Sequence, residues 1–526
     1  MLDVDLFDYG ALPPYVTSSR DQELLQITRR QRKQFCGSTS SLTGLLSHCY
    51  YALSRWREPR LTGFSPSFTD MPSGFSEGTK VPVSVKLQRQ PEGFYAVDAD
   101  KGADGDLENS NYVLTSLGKS LEKMLTTTPE DYAMYERVNS WQLSEDVRRQ
   151  PEAYHYAQTK DMLMRSQLDC HDPRLPNKTF DLKTRAVVSV RNDRANYVEA
   201  SGYQILRGTG LFESFEREYW DMVRSAFLKY NFQARIGHMD GIFVAYHNTA
   251  KMFGFQYISL EEMNLRLFGS NEMGDKAYHL SLGMLEQIFH AATTYIENES
   301  VALTVETRPG AGSMTVFVEP VESGGDKVQF DVTMDRYLDG ALVRGPVDIS
   351  ALQGSMSDAQ WEEMLQRRSG KSIEAVDWHV DYCITPRYDL SQGVIRENLK
   401  EVRQRQQMLQ VMSMPNVKLL NEREQQRINV LARRPEALQR FLTEREDGTA
   451  MGMPLAPGQL TTRQLIEKKG VKLADTEDKK EDATATRWQR LPDPMTRRLR
   501  ELSQHGAALA KEEEAKDPHK LYERMS

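Results

Sequence analysis

The chain has 526 residues, of which 39% are hydrophobic and 27% are charged, with 67 Lys and Arg against 75 Asp and Glu. This length allows several domains, and the hydrophobic content excludes a wholly disordered protein. No run of about 18 apolar residues occurs, so the sequence predicts no transmembrane helix. The four cysteines form no C-x-x-C pair, which excludes a disulfide scaffold, and we expect no disulfide-linked partner.

The charge is unevenly distributed along the chain. Residues 391–526 contain 26 Lys and Arg against 21 Asp and Glu, a net charge of +5, and the remainder carries −13. An acidic body disfavours a general nucleic-acid binder, but a metal-dependent nuclease needs carboxylates. Residues 1–8 are acidic and lack the features of a targeting peptide. We expect either a protein without a leader or one whose leader has been removed.

Hydrophobic periodicity, helix caps and turn signals predict a mixed α/β body followed by a helical tail. In chain order, the predicted elements are a helix at 42–53, strands at 81–86 and 93–97, a helix at 113–125, strands at 161–169 and 179–190, a helix at 211–231, strands at 241–246 and 252–258, a helix at 278–296, strands at 301–306, 313–319, 327–333 and 376–385, and helices at 397–412 and 417–446. This pattern is typical of a mixed central sheet flanked by helices.

The same pattern divides the chain into three predicted parts. Residues 1–80 form an N-terminal helical region with a Gly/Ser/Pro-rich loop, and residues 81–390 form an α/β core with insertions. Residues 391–526 form a charged, helical and partly disordered C-terminal extension. We expect this extension to be the docking segment.

Charged residues alternate with apolar ones along the predicted strand 179–190. Asp181, Lys183 and Arg185 share one face because strand side chains alternate, and the opposite, apolar face is expected to be the buried one. Asp169 would end a neighbouring strand beside Asp181. Two close carboxylates repel unless a cation lies between them, and Mg²⁺ binds one or two carboxylates together with waters and phosphate oxygens.

This arrangement predicts phosphodiester hydrolysis. Lys183 could orient or deprotonate a metal-bound water, and Arg185 could neutralise a phosphate. Glu122, on the helix predicted at 113–125, is a plausible third carboxylate.

Each of these assignments has a structural alternative. Asp181 and Lys183 could form a salt bridge on an edge strand, and Asp169 could be a turn residue, with Asp172 as the rival ligand. Glu122 could lie on a solvated helix face.

The sequence resembles known protein families in these residues and in three longer blocks. The helix Gly118-x-x-x-Glu122, followed by Asp169 and then Asp181-Leu-Lys183, resembles the PD-(D/E)XK nuclease superfamily. Three longer blocks resemble the fungal mitochondrial RNA-processing family of petite-class nuclear factors, over roughly residues 30–390. These blocks are residues 37–47, 172–186 and 234–248.

The superfamily resemblance implies a role for each matching residue. Glu122, Asp169 and Asp181 would be metal ligands, the Leu182 carbonyl would be a further ligand, and Lys183 would be the catalytic lysine. A polar residue after the core strands often contacts phosphate or the lysine in such enzymes. The candidates here are Gln233 and Arg235, whose structural alternative is an ordinary strand start.

The resemblance also implies a fold, a function and a location. The fold is the restriction-endonuclease-like PD-(D/E)XK α/β fold. The function is a Mg²⁺- or Mn²⁺-dependent exoribonuclease, 5′→3′, that processes and degrades mitochondrial RNA, including 5′-end maturation. The expected partners are mitochondrial RNA and the mitochondrial RNA polymerase, with peripheral association with the inner membrane from the matrix. A transit peptide is implied but absent from this chain, and a trimmed form is the simplest explanation. The alternative function is a nuclease-fold adaptor that binds and stimulates the polymerase without catalysis.

Overall fold

A computed structural model of the protein describes residues 6–100, 112–148, 152–347, 377–411 and 493–516. The α-helices in this part of the chain are α1 Gln22–Arg30, α2 Thr39–Ser54, α3 Tyr112–Thr126, α4 Pro129–Ala133, α5 Glu145–Arg148, α6 Val188–Asn192, α7 Tyr197–Ala200, α8 Phe215–Ser225, α9 Phe227–Ile236, α10 Leu260–Phe268, α11 Asn271–Tyr295, α12 Gln392–Val411 and α13 Pro494–Lys516. The strands are β1 Phe35–Ser38, β2 Val83–Arg89, β3 Tyr95–Ala99, β4 Tyr154–Gln158, β5 Met162–Gln167, β6 Cys170–His171, β7 Thr179–Ala186, β8 Gly241–His247, β9 Met252–Ser259, β10 Val301–Glu306, β11 Ser313–Pro320, β12 Val328–Leu338, β13 Ala341–Leu342 and β14 Trp378–Pro386.

The described strands form two sheets. The large sheet has the order β13-β12-β11-β10-β2-β3-β1-β5-β4, and β14 also pairs with β12. It is a mixed sheet, because β1 runs parallel to both β3 and β5 whereas the other strands of the sheet pair in antiparallel fashion. The second sheet has the order β6-β7-β8-β9, with β7 and β8 parallel. The predicted α/β class, a mixed sheet flanked by helices, is confirmed.

Helix α2 shows how the sequence builds the core. The backbone N–H of Ser38 donates to Ser41 Oγ at 3.3 Å, so the predicted Ser/Thr cap starts the helix. Leu42, Leu45 and Leu46 are all fully buried. They belong to one continuous apolar cluster that includes residues of both sheets. The two sheets therefore share a core, which fixes the second sheet against the first.

The prediction that strands 161–169 and 179–190 are adjacent to each other is wrong. β5 lies in the large sheet between β1 and β4, whereas β7 lies in the second sheet. Only the two-residue strand β6 pairs with β7, at Cys170↔Phe180 and His171↔Thr179. β7 also ends at Ala186, because the next backbone N–H groups bind His247 O and the Glu218 carboxylate and the chain turns into α6.

The single helix predicted at 211–231 is two helices, α8 and α9. Ser214 caps α8 by accepting from Arg217 N at 3.0 Å. Near the C-terminal end of α8, the Ser225 hydroxyl donates to the Asp221 carbonyl at 2.6 Å, a bond that bends helices. The chain then continues as α9 to Ile236, so that Gln233 and Arg235 lie on a helix and not at a strand start.

The C-terminal helix α13 packs against the body of this chain. Arg500 and Asp193 form an ion pair with a distance of 2.6 Å, and Ser503 lies over α7. Gly202 and Gly506 allow the closest approach, because a Cβ on Gly506 would lie 2.3 Å from the Gly202 carbonyl oxygen. The predicted helix at 397–412 is α12. The one at 417–446 lies outside the described residues.

We expect Gly506→Val to detach α13 from the body. The added side chain must displace Gly202 backbone, an overpacking that typically costs about 1–3 kcal/mol. Hydrogen exchange at 494–516 should accelerate and the Tm should fall. Ala515→Val, at an exposed position of the same helix, is the matched control. Equal protection of α13 in both variants would contradict the docking contact.

None of the helices within the described ranges is long and apolar enough to cross a membrane.

The proposed boundaries at residues 80 and 390 stay a prediction. β1 belongs to the predicted N-terminal region 1–80, but it lies inside the large sheet, between β3 and β5 of the predicted core.

Candidate active site on strand β7

Strand β7 is covered on both faces, unlike the one-sided burial expected from its sequence. Lys183 Nζ lies 5.3 Å from the centre of the Tyr230 ring on α9, which covers the charged face. On the other face, a Cβ on Gly118 of α3 would lie 3.5 Å from Thr184 Oγ1. Asp181 is therefore 1% exposed. A buried carboxylate is tolerated only when it is paired and hydrogen-bonded, so its partners matter.

Asp181 is held by two side chains. Gln233 Nε2 donates to Oδ1 at 2.9 Å, and Lys183 Nζ lies 2.6 Å from Oδ2 in an ion pair. Oδ2 is buried, and no described residue gives it a well-directed hydrogen bond. One carboxylate oxygen therefore retains capacity for a further ligand.

Asp169 lies beside Asp181, as expected. Its Oδ2 accepts from the backbone N–H of Leu182 at 3.1 Å, on the edge of β7 that extends beyond β6. Burial, followed by the negative charge of Asp181, raises the pKa of Asp169 to about 9. The N–H and C=O of a strand residue point to the same edge, so the Leu182 carbonyl also faces this side. The two carboxyls thus form a close pair on one strand edge.

Lys183 remains charged in this environment. Burial disfavours the ammonium, but the interaction with Asp181, and then those with Tyr230 and Asp169, raise the pKa of Lys183 above its usual value. As an ammonium it can stabilise negative charge and orient an oxygen, but it cannot accept a proton. Tyr230 was missed by the sequence analysis. A helix extended to residue 236 would have shown it one turn before Gln233.

Glu122 lies near this pair on α3, one turn after Gly118. Burial, followed by the charges of Glu152 and Asp181, raises the pKa of Glu122, while Lys183 acts in the opposite direction. The structure places Glu122 in the electrostatic field of the site. Among the described residues, however, no three His, Cys, Asp or Glu side chains are already arranged as metal ligands.

Cys170 of β6 lies within the electrostatic influence of all three acids. Burial, followed by the charges of Asp169, Glu122 and Asp181, raises the pKa of its thiol to about 12. All three predicted acids therefore act on one side chain at the edge of β7. A thiol that stays neutral is a poor nucleophile.

Arg185 belongs to a different, buried network. It is 8% exposed, and burial, followed by the positive charge of Arg191, lowers its pKa to about 10. Arg191 in turn pairs with Glu218 and, at 2.5 Å, with Asp221. The predicted contact of Arg185 with a substrate phosphate is not supported by this placement, because the guanidinium is enclosed at the far end of β7.

Arg235 also lies away from the acid pair. Its guanidinium donates to Asn231 Oδ1 at 3.0 Å and to Asn264 Oδ1 at 2.9 Å, and it pairs with Asp275 at 2.6 Å. Gln233 points to the opposite side of α9, at Asp181. Of the two predicted polar contacts, the structure brings only Gln233 to the site.

Asp172, the rival of Asp169, is engaged elsewhere. Its Oδ1 accepts from the Arg174 backbone N–H at 2.9 Å in the proline-rich turn. Hydrogen bonds from the Arg174 side chain, and then from its backbone, lower the pKa of Asp172 to about 2. The geometry therefore favours Asp169 over Asp172 as the partner of Asp181.

The sequence profile of a family described as "Mitochondrial protein Pet127" matches residues 15–290. This range is more than half of the chain and contains every residue of the candidate site. The chain belongs to the Pet127 family.

Two relatives extend the family assignment. The chain is 37% identical over 311 residues to the protein of Schizosaccharomyces pombe named "mRNA degradation protein pet127, mitochondrial", a match that covers 58% of each chain. It is 39% identical over 265 residues to PET127 of Saccharomyces cerevisiae, covering 49% of this chain and 30% of that one. The matched region thus spans less than two thirds of either Pet127 relative.

Solved structures show only weak likeness to this Pet127 family member. Rai1 of Scheffersomyces stipitis, crystallised with (3′-NADP)+ and a calcium ion, has a TM-score of 0.31 and 11% identity over 58% of this chain and 75% of its own. Dxo1 of K. lactis, crystallised with manganese, has a TM-score of 0.31 and 8% identity over 61% and 74%. Neither likeness assigns a role to a residue of this chain.

Proposed function

We propose that this chain is a metal-dependent exoribonuclease with a PD-(D/E)XK-type site, acting on mitochondrial RNA in the 5′→3′ direction. One observation carries the proposal: Asp169 and Asp181 form a close carboxyl pair on the edge of β7, with the Lys183 ammonium 2.6 Å from Asp181. A buried acid whose pKa is raised by burial and by a neighbouring carboxylate, as that of Asp169 is, next to a fixed cation, is typical of an active site and not of a surface salt bridge.

The donors at this edge fit Mg²⁺ or Mn²⁺. Hard divalent ions bind carboxylate and carbonyl oxygens, and Mg²⁺ commonly uses only one or two carboxylates with waters and phosphate oxygens. Asp169, Asp181 and the Leu182 carbonyl would hold the ion, with Asp181 Oδ2, which is paired with Lys183 but receives no well-directed hydrogen bond, as one ligand atom. Glu122 would act as a further ligand, directly or through water. When bound, the ion supplies Lewis-acid stabilisation of charge that develops on the phosphate.

The other residues of the site have supporting roles. Lys183, held as an ammonium by Asp181, would stabilise negative charge on the scissile phosphate. Gln233 would fix the Asp181 carboxylate in the plane needed for its ligands, since its amide already donates to Oδ1. We assign no substrate contact to Arg185 or Arg235.

The substrate and location in this proposal rest on the relatives. The Schizosaccharomyces pombe protein is named for mRNA degradation and for the mitochondrion. We extend both to this chain, with a matrix location. Transcript 5′-end maturation, coupling to the mitochondrial RNA polymerase and peripheral attachment to the inner membrane come from the family resemblance and are part of the proposal.

We expect the purified protein to degrade single-stranded RNA only when Mg²⁺ or Mn²⁺ is present. The substrate is one RNA labelled at its 5′ end in one sample and at its 3′ end in the other. A 5′→3′ exonuclease releases a labelled mononucleotide from the first and a shortening ladder from the second. EDTA should abolish both signals, and added Mg²⁺ should restore them. Cleavage that persists in EDTA would contradict the metal requirement.

A second function, a nuclease-fold adaptor for the polymerase, is favoured by one observation. No three metal-binding side chains among the described residues are prearranged around Asp181. In the adaptor function, polymerase stimulation would survive Asp181→Asn, and wild-type protein would leave labelled RNA intact. In the enzyme function, cleavage would be present in wild type and lost in that variant, whatever the polymerase does.

A further inference from the structure

A cleft lined by arginines lies at the opposite end of the large sheet from strand β5. It has a volume of about 270 Å³ and is bounded by the C-terminal end of α2, the loop between β10 and β11, and the β12–β13 hairpin. An adjoining hollow extends it towards Trp56. We call this feature the arginine cleft and define it by Arg55, Arg308, Arg336 and Arg344.

The charges of the cleft are poorly balanced. Arg336 donates to the carbonyls of Ala52 and Leu53, which anchors its guanidinium at the end of α2. Burial, followed by the positive charge of Arg55, lowers the pKa of Arg336 to about 10. The guanidinium groups of Arg55 and Arg336 are therefore close enough to repel each other. Such an arrangement is stabilised by an anion between them.

Arg308 adds positive charge from the other wall. Its nearest carboxylate is Glu306, at 3.6 Å, and that carboxylate already receives two shorter hydrogen bonds from Arg405, at 2.7 and 2.8 Å. Asp335 is the one acidic residue among those that line the cleft in the described part of the chain. The lining thus combines four guanidinium groups with one carboxylate.

The backbone at the cleft is strained and open. Arg55 and Trp56 both have left-handed conformations, with φ of 50° and 59°, and both line the cleft. Consecutive non-glycine residues in this region are costly and cluster at ligand-binding sites. Gly310 and Gly312 line the hollow, and a Cβ on either would meet no described atom within 4 Å, so there is open space beside both residues.

A buried donor also points to a ligand. The indole Nε1 of Trp56 is buried and has no hydrogen-bond acceptor among the described residues. Buried polar groups in native proteins nearly always have a partner. Trp56 also lines the hollow that adjoins the arginines, so this unpaired donor lies on a residue of the cleft wall.

We propose that the arginine cleft binds a phosphate group, held by Arg55, Arg308 and Arg344 beside Trp56. Guanidinium groups are the preferred protein ligands for phosphate because of their planar, multiple donors. The phosphate can belong to an RNA chain or to a free nucleotide. With RNA, the cleft deepens the proposed nuclease function by anchoring the strand at a distance from the cutting site.

The position of the cleft suits an RNA anchor. β11 is five strand positions from β5, the strand that leads into Asp169, so β11 and β5 are about 24 Å apart along the large sheet at about 4.8 Å per strand. This separation corresponds to several nucleotides of single-stranded RNA, within the site sizes of known single-strand binders. Binding there would act on long substrates and leave very short ones unaffected.

The test measures binding and needs no catalysis. Arg308→Glu/Arg344→Glu is compared with the matched control Arg30→Glu/Arg498→Glu, which makes the same charge change at exposed positions elsewhere. The probes, in EDTA, are a fluorescein-labelled 20-nucleotide RNA, a 4-nucleotide RNA and ADP. We expect the cleft variant to lose at least about fivefold in affinity for the long RNA, with a shallower salt dependence, and the control to bind like wild type.

Each outcome decides the question. Loss of long-RNA affinity in the cleft variant alone supports the proposal with RNA as the source of the phosphate. Loss of ADP affinity in that variant alone supports it with a nucleotide as the source. If neither probe distinguishes the cleft variant from the control, or neither binds wild type, the proposal is overturned. Because EDTA prevents metal-dependent cleavage, these results are independent of whether the acid pair on β7 is a nuclease centre.

Discussion

Asp181→Asn is expected to reduce single-turnover RNA cleavage by about 10²–10³-fold, the usual effect of removing one preorganised electrostatic group from an active site. The substitution keeps the shape of the side chain but removes the charge that pairs with Lys183 and that would hold the metal. Asp169→Asn should have a similar effect on cleavage. Its amide oxygen can still accept from the Leu182 backbone N–H, so the strand edge is preserved.

Asp172→Asn is the matched control for both variants. Asp172 lies three residues after Asp169 but is occupied by Arg174 in the turn, so its loss should leave the cleavage rate within about twofold of wild type. Circular dichroism and Tm establish that the variants are folded. If Asp181→Asn and Asp169→Asn cleave RNA as fast as Asp172→Asn, the pair is a structural salt-bridge site and the nuclease proposal fails.

Glu218→Ala is expected to destabilise the protein by about 3–5 kcal/mol, the range for breaking a buried ion pair by removing one partner. The Glu218 side chain is fully buried, accepts from the Val188 backbone N–H at 2.8 Å, and pairs with Arg191. Its removal would leave Arg191 and Arg185 close together with less negative charge between them. Urea unfolding, followed by circular dichroism, measures the free energy of unfolding.

Glu261→Ala, on the exposed face of α10, is the control for this change and should cost less than about 0.5 kcal/mol. A loss for Glu218→Ala that is no larger than for Glu261→Ala would show that the network at the end of β7 is not a stabilising unit. The prediction concerns stability alone, because Glu218 lies beyond Arg185 and away from the acid pair.

The main features of strand β7 could be predicted from the sequence. Period-two alternation placed Asp181 and Lys183 on one face, and the ion pair follows from that spacing. The position of Asp169 was also predicted, although through the wrong strand pairing. These features are local in the chain, and local geometry is what alternation and turn signals encode.

Long-range packing explains what the sequence did not reveal. Arg185 has the same alternation as Lys183, yet it is enclosed because α8 supplies Glu218 and Asp221 from a distant part of the chain. Gln233 reaches Asp181 only because α9 continues as a helix across the charged face. Helix α13 illustrates the same limit, since its contact depends on two glycines about 300 residues apart.

The most direct test of the central claim is the binding of Mn²⁺ to purified protein, measured by electron paramagnetic resonance of the free ion. The wild-type chain is predicted to bind Mn²⁺ at a site that is lost in both Asp169→Asn and Asp181→Asn and retained in Asp172→Asn. Binding that is unchanged in all three variants, or absent from the wild type, would contradict a metal centre at the edge of β7.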